Sequence, residues 1–478
     1  MNEPLALPAL LVIIGYFLVV VWLGLRRTGS HQSADSYLLA SRRLTLPFFI
    51  ATLVSTWYGG ILGVGEFSYN YGLVNWLALG GFYYAFALVY ALLLAQKVRQ
   101  GADLTIPGRL ADNYGSVAGR FSSLFVFILV TPAPYLLMMA KLLSLSFGIG
   151  FPLALLLTLL VTVTYVWRGG FKAVVVTDLL QFFLMFAGFA VLLGMLYHQF
   201  GGIEFIRQRV PAELLTIPGP LGWREVLIWG FIALWTLVDP SFYQRVCAVD
   251  RPATARRGLI ISILFWFVFD FMTTAAGLYA RALLPVGIDP TLSYPLLAQQ
   301  FLPVLLQGVF FAALLATIMS TLDSYTFLAA LTLAVDLETG SAGSTDLDRI
   351  RCRTRWGLLW TVLFSLLMIY YTESVIQMWL TVGQLCIPVL LLPLLSTYFP
   401  LLRRSSTVVF TAMVAAAVAS AGWFAWGLWQ AVEGWPVYPL GIEPIYPGLL
   451  ISVVVFGLRI KKHTPRHGET ESLVKNYN

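Results

Sequence analysis

Charged residues are scarce in this chain. Asp, Glu, Lys and Arg together make up 11% of its 478 residues, while hydrophobic residues make up 59%. A soluble globular protein carries about 25% charged residues. Apolar stretches of roughly twenty residues, the length that crosses a bilayer as a helix, recur along the whole chain. The composition argues against an ordinary soluble domain and predicts an all-α polytopic membrane protein.

Cysteine and histidine are also rare, at 3 and 4 residues. The sequence contains no HExxH motif and no paired CxxC motif, so a catalytic zinc site is not expected. No clustered nucleophile and base indicates an enzyme. The N-terminus lacks a charged n-region and an A-x-A site, so we expect the first apolar stretch to be a retained helix and not a cleaved signal.

Thirteen stretches are candidate membrane spans, at 7–25, 45–68, 73–97, 121–147, 151–167, 172–196, 226–246, 258–280, 304–336, 356–371, 375–398, 406–429 and 445–459. Of the 30 Lys and Arg residues, 25 fall in the segments after the odd-numbered spans or in the C-terminal tail, Arg245 among them. The positive-inside rule places these segments in the cytoplasm. We therefore predict an inner-membrane protein with its N-terminus outside and its C-terminus cytoplasmic. The basic charge orients helices, and no nucleic-acid partner is expected.

Two of these spans are interrupted. Span 2 contains the run STWYGGILGVGE (55–66), where four glycines within seven residues each weaken a helix by about 1 kcal/mol relative to alanine. Span 7 contains Pro240, which removes a backbone donor and clashes with the preceding turn. Interrupted spans at matching positions of two halves indicate a transporter site, although ordinary kinks or a glycine packing groove would give the same pattern.

The ninth span carries an unusual polar cluster between residues 311 and 330, consisting of Thr317, Ser320, Thr321, Asp323, Ser324 and Thr326. Such side chains are costly in a membrane helix unless they face a partner, water or an ion. An unwound helix exposes carbonyl oxygens, and small hard cations prefer oxygen ligands. The sequence therefore predicts a site for a monovalent cation between spans 2 and 9.

Several segments resemble the sodium:solute symporter family, which contains sodium–sugar and sodium–proline cotransporters. The matching pieces are ADSYLLASRRLTLP (34–47), STWYGG…GEFSYNYG (55–72), TIPGRLADNYG (105–115), GGFKAVVVTDLLQ (169–181), YQRVCAV…ARRG (243–258) and ATIMSTLDS (316–324). The resemblance implies a five-plus-five inverted repeat with broken helices, preceded by one helix and followed by two. It implies a leading helix and loop at 1–44, a core at 45–400 with repeats 45–200 and 222–400, helices at 401–460 and a cytoplasmic tail at 461–478.

The resemblance also implies roles for particular residues. The main sodium site would use the carbonyls of Leu53, Thr56 and Thr317 with the hydroxyls of Ser320 and Thr321. A second sodium or proton site would use Asp178 with Ser320, Asp323 and Ser324. Asp323 departs from the family pattern, where a neutral hydroxyl is usual at this position.

Candidate substrate contacts lie beside the two interruptions. Asp239 at the second one would contact a cationic or hydroxyl-bearing solute, or would cap the helix that begins at Pro240. Trp57, Tyr58 and Trp235 would hold an organic cation by cation–π attraction or would only pack. At Trp57, in the STWYGG run, the sequence resembles the choline-carrying branch of the family.

These features predict a sodium-coupled symporter, working by alternating access, for a small polar organic solute, with a lean toward an amine, a quaternary ammonium compound or an amino acid. The alternatives are a proton-coupled or sodium-independent transporter of the same fold and a solute sensor that does not transport. The expected partners are the solute, Na⁺ as coupling ion and the lipid bilayer, with the protein a monomer or weak oligomer.

Overall fold

The computed structural model describes residues 4–26, 34–101, 103–337, 347–432 and 435–458. These residues are almost wholly helical and include no β-strand, only two isolated bridges, Leu44 with Val249 and Val432 with Trp435. The helices are Leu7–Arg26, Ala34–Leu39, Leu46–Trp57, Ile61–Tyr71, Trp76–Gln100, Ile106–Tyr114, Ser116–Leu129, Ala133–Phe147, Phe151–Phe200, Ile203–Arg209, Gly222–Ile232, Trp235–Val238, Pro240–Ala248, Pro252–Leu283, Ser293–Phe301, Val304–Asp336, Leu347–Tyr371, Val375–Ser396, Ser406–Trp429 and Ile445–Leu458.

Within the described ranges, 10 helical segments are long and apolar enough to cross a membrane, and the shorter helical stretches Phe151–Thr162 and Ile445–Gly457 are also apolar. The 25-residue helix Leu347–Tyr371, which contains the predicted span 356–371, belongs to neither group. The all-α polytopic class is therefore confirmed, whereas the count of thirteen spans stays a prediction. The division into repeats is also still a prediction, and the predicted tail at 461–478 lies outside the described residues.

Both predicted interruptions are present. In the first broken span (Leu46–Tyr71), a helix ends at Trp57, a 3-10 turn covers Tyr58–Gly60, and a second helix begins at Ile61. In the second broken span (Gly222–Ala248), helical segments end at Ile232 and Val238, and a third begins at Pro240. Asp239 is extended, with φ −69° and ψ 118°, because proline disfavours the helical conformation in the residue before it.

The centre of the bundle is the polar helix (Val304–Asp336). Every residue from Phe310 to Leu331 is buried, as expected of a helix surrounded by protein on all sides. It packs against the first helix, the first broken span and the long helix Phe151–Phe200. Its hydroxyls therefore face other helices and not lipid.

The long helix joins the predicted spans 151–167 and 172–196 through a kink at Gly170. Gly170 has φ 57°, in the left-handed region that glycine enters without the steric cost of a side chain. The helix resumes after the kink and carries Asp178 into the interior, where its side chain is fully buried. The kink thus fixes where Asp178 meets the polar helix.

Candidate ion and substrate site

The polar helix meets the first break directly. Thr321 Oγ1 donates to the carbonyl of Thr56 at 2.5 Å, and Thr56 Oγ1 lies 3.2 Å from Ser320 Oγ. The close approach requires glycine in the break, because a Cβ on Gly59 would lie 1.9 Å from Thr321 Oγ1. Three of the five residues predicted for the main sodium site are thereby brought together.

The surroundings of these three residues supply further oxygen atoms. Ser320 Oγ also lies 3.1 Å from Ser55 Oγ. Leu53 and Thr317, the other two predicted members, are buried on the same two facing helices. Hydroxyl and carbonyl oxygens are the ligands that small hard cations prefer, so this group has the chemistry that a sodium ion requires.

A buried arginine lies next to this oxygen cluster. Arg245, in the second broken span, is fully buried, and its Nη2 donates to Thr56 Oγ1 at 2.5 Å and to Ser324 Oγ at 2.8 Å. The same nitrogen lies 3.5 Å from Asp178 Oδ2, and Nε donates to Thr52 Oγ1 at 3.1 Å. The interpretation of Arg245 as a charge of a cytoplasmic loop is therefore wrong. Its position in the sequence, at the end of a predicted span, grouped it with the basic residues that orient the protein. No neighbouring residue in the sequence indicates that its side chain points into the bundle.

Asp178 uses both carboxylate oxygens within this network. Oδ1 accepts a hydrogen bond from Ser320 Oγ at 2.6 Å, and Oδ2 accepts one from Thr52 Oγ1. Asp323 is also fully buried. Of the residues predicted for a second site, Asp178 and Ser324 therefore meet at Arg245, and Ser320 bonds to Asp178.

The second break is capped by its own carboxylate. Asp239 Oδ1 accepts from the backbone N–H groups of Ser241 and Phe242 at 2.7 and 2.8 Å. Its Oδ2 accepts from the Tyr325 hydroxyl at 2.9 Å. The capping interpretation of Asp239 is therefore present in the structure, and the polar helix contacts this break as well as the first.

A cavity lies between the two breaks. Its volume is about 100 Å³, several times what one water molecule needs. The predicted substrate residues Trp57, Tyr58, Trp235 and Asp239 all line it, as does Asp270. Its aromatic wall consists of Trp57, Tyr58, Tyr83, Tyr135, Trp235, Tyr325 and Trp379, and the described residues that line it include no Lys, Arg or His.

Two charges whose partners the sequence did not reveal now have them. Asp270 is buried and accepts a hydrogen bond from the Tyr84 hydroxyl. Lys141 forms an ion pair at 3.2 Å with Asp289, which lies in the exposed loop just before the 3-10 turn Pro290–Leu292. Only Asp270 faces the cavity, so it joins Asp239 as a second acidic group there, which sequence reasoning missed.

Residues 37–407 match the sodium:solute symporter family. The chain belongs to that family. The sodium/pantothenate symporter of Escherichia coli is 25% identical over 477 residues, covering 94% of this chain and 95% of the relative. The corresponding symporter of Haemophilus influenzae is 28% identical over 351 residues, covering 68% and 70%. The family resemblance predicted from the motifs is confirmed.

Solved structures show the same fold. A Na⁺-coupled sialic acid symporter in a substrate-bound outward-open state aligns with a TM-score of 0.78 at 17% identity, covering 96% of this chain and 99% of that one. The nucleobase-cation-symport family transporter Mhp1 aligns with a TM-score of 0.58 at 14% identity. These structures share the fold. Membership of the sodium:solute symporter family makes the chain a multi-pass secondary transporter and not an enzyme, and it supports sodium-coupled symport.

Proposed function

We propose that this family member couples sodium entry to the uptake of a small organic solute that carries a positive charge, such as an amine or a quaternary ammonium compound. The observation that carries the proposal is the cavity between the two breaks. It is lined by two carboxylates, Asp239 and Asp270, and by aromatic rings, and no basic residue of the described ranges lines it. Carboxylates and aromatic faces both attract cations.

The same cavity disfavours solutes with a net negative charge. A carboxylate such as pantothenate or sialate, which the relatives' names record, would enter beside two acidic side chains and find no cationic group in the lining. Burying an unpaired charge is costly. A zwitterionic amino acid would satisfy one end only, so amines and quaternary ammonium compounds fit better.

Sodium would bind where the first break meets the polar helix, on the carbonyls of Leu53, Thr56 and Thr317 and the hydroxyls of Ser320 and Thr321. An ion there would hold the two elements together beside the occupied cavity. Release to the other side would follow rocking of the two broken spans and the helices after them against the rest of the bundle. The membrane potential would favour inward movement of the ion by about 2.3 kcal/mol per charge per 100 mV. In this orientation the N-terminus is outside and the C-terminus is cytoplasmic.

The test begins with the purified full chain and a library of cationic, anionic and neutral solutes, screened by thermal shift in NaCl and in KCl. We expect cationic solutes to raise the melting temperature more in NaCl, and anionic solutes to have no effect. A labelled solute identified in the screen should then accumulate in proteoliposomes under an inward sodium gradient.

Three results would contradict this proposal. Stabilisation by anionic solutes alone would reject the cationic class. Uptake driven by a pH gradient without sodium would favour proton coupling. Binding without counterflow of labelled solute would indicate a sensor.

A further inference from the structure

Arg245 and Asp178 form a fully buried ion pair where four spans meet. Their side chains are 0% exposed, and Nη2 lies 3.5 Å from Oδ2. A buried guanidinium is costly unless all of its donors find acceptors. The acceptors around these donors therefore indicate which kind of group this position can bind.

Every acceptor of Arg245 is an oxygen atom. Besides Asp178, it donates to the hydroxyls of Thr52, Thr56 and Ser324, and to the carbonyls of Thr52 at 3.3 Å and Ser241 at 3.4 Å. One carboxylate with hydroxyls and carbonyls from several helices is also a typical ligand set for a hard cation. The guanidinium therefore occupies a position with the chemistry of a cation site.

This position overlaps the predicted second ion site, and it reaches the main one only at the hydroxyl of Thr56, whose carbonyl is the main-site ligand. Asp178 and Ser324 were assigned to a second ion, and both accept hydrogen bonds from Arg245. Thr321, by contrast, remains on the carbonyl of Thr56 at the break. The oxygen cluster is thus divided between a position held by the protein's own cation and a position left for sodium.

Electrostatics argues against an additional ion at the arginine position. Asp178 already accepts hydrogen bonds from Thr52, Ser320 and Arg245. A sodium ion placed among the same oxygens would lie within a few ångströms of the guanidinium, and like charges at that distance repel strongly away from water. Only removal of the arginine charge would leave Asp178 available to a mobile cation.

We propose that the Arg245 guanidinium is a built-in cation that takes the second ion position, so that the carrier binds one sodium ion per transport cycle. The inference rests on the proposed sodium coupling, since it concerns how many ions are bound. It also gives Asp178 the role of counter-charge to Arg245 and not that of a proton carrier.

The test uses sodium alone as the probe. Binding of ²²Na⁺ to the purified full chain, with KCl keeping ionic strength constant, should saturate at one ion per protein with a Hill coefficient near one. Arg245→Gln removes the charge and should bind two ions. Arg245→Lys keeps the charge and should still bind one. Arg251→Gln, at a side chain that is 81% exposed, is the matched control and should match the native protein.

The double variant Asp178→Asn/Arg245→Gln should return to one ion, because the carboxylate that would hold the second ion is gone. Two ions on the native protein would overturn the inference, even if Arg245→Gln does not fold. One ion on a folded Arg245→Gln variant would overturn it as well. No saturable sodium binding by the native protein would instead reject the proposed sodium coupling.

Discussion

In the first broken span the interruption at Tyr58–Gly60 consists of glycines and an aromatic residue, and the Thr56 carbonyl is met by Thr321 of another helix. In the second, Asp239 caps the following half-helix with its own side chain. The first break therefore depends on its neighbours for polar partners, and the second supplies its own. A mobile ion can stabilise a break of the first kind, because the oxygen atoms that would bind the ion come from separate helices.

The polar helix connects the two breaks. Thr321 contacts the first break, and Tyr325, four residues later, contacts Asp239 at the second. Residues four apart lie on the same face of a helix. A single helical face therefore contacts both the ion position and a residue that lines the cavity. Sodium binding can be coupled to solute binding through this face.

The largest expected effect comes from Gly59→Ala in the first break. The new Cβ would lie 1.9 Å from Thr321 Oγ1, so the polar helix and the break must separate. Overpacking of this kind costs about 1–3 kcal/mol, and we expect near-complete loss of sodium-dependent uptake in proteoliposomes with a lower melting temperature. Gly194→Ala, where a Cβ meets nothing within 4 Å, is the control. Normal sodium-dependent uptake by Gly59→Ala would show that this contact is not needed.

A smaller effect is expected for Ser320→Ala and Thr321→Ala. Each variant removes one hydroxyl oxygen that faces the first break. Loss of a hydrogen-bonding partner for a buried polar group costs about 1–3 kcal/mol, and 1.4 kcal/mol is a factor of ten. The sodium concentration for half-maximal uptake should therefore rise about tenfold. Thr332→Ala is the control, because that hydroxyl bonds within its own helix, to Leu328 at 2.9 Å. An unchanged sodium dependence in both variants would disprove the assignment of the main site.

The smallest effect on the fold is expected for Asp239→Asn at the second break. Asparagine caps helices about as well as aspartate, whereas alanine costs about 0.5–2 kcal/mol. Asp239→Asn should therefore keep the melting temperature of the native protein but lose stabilisation by cationic solutes, and Asp239→Ala should lose both. If Asp239→Asn keeps its response to cationic solutes, Asp239 serves as a cap only.

Sequence reasoning located the interrupted spans and the oxygen cluster because their causes are local. Four glycines in seven residues and an aspartate before proline alter the helix wherever they occur. The hydroxyls of the polar helix are recognisable because they are costly in a membrane segment. It could not find the contacts of Asp270 with Tyr84 or of Lys141 with Asp289, since these partners are 186 and 148 residues apart in the chain.

Arg245 shows most clearly what could not be predicted from the sequence. By position it resembled the loop arginines that orient the protein, and only the packed bundle shows its guanidinium inside the oxygen cluster. Composition and local helix chemistry by themselves determined an all-α membrane protein with two broken spans and one polar helix, and the family motifs implied a transporter. Which oxygens face a mobile ion and which face the protein's own arginine was decided by tertiary packing, because burial and side-chain direction depend on elements far apart in the chain.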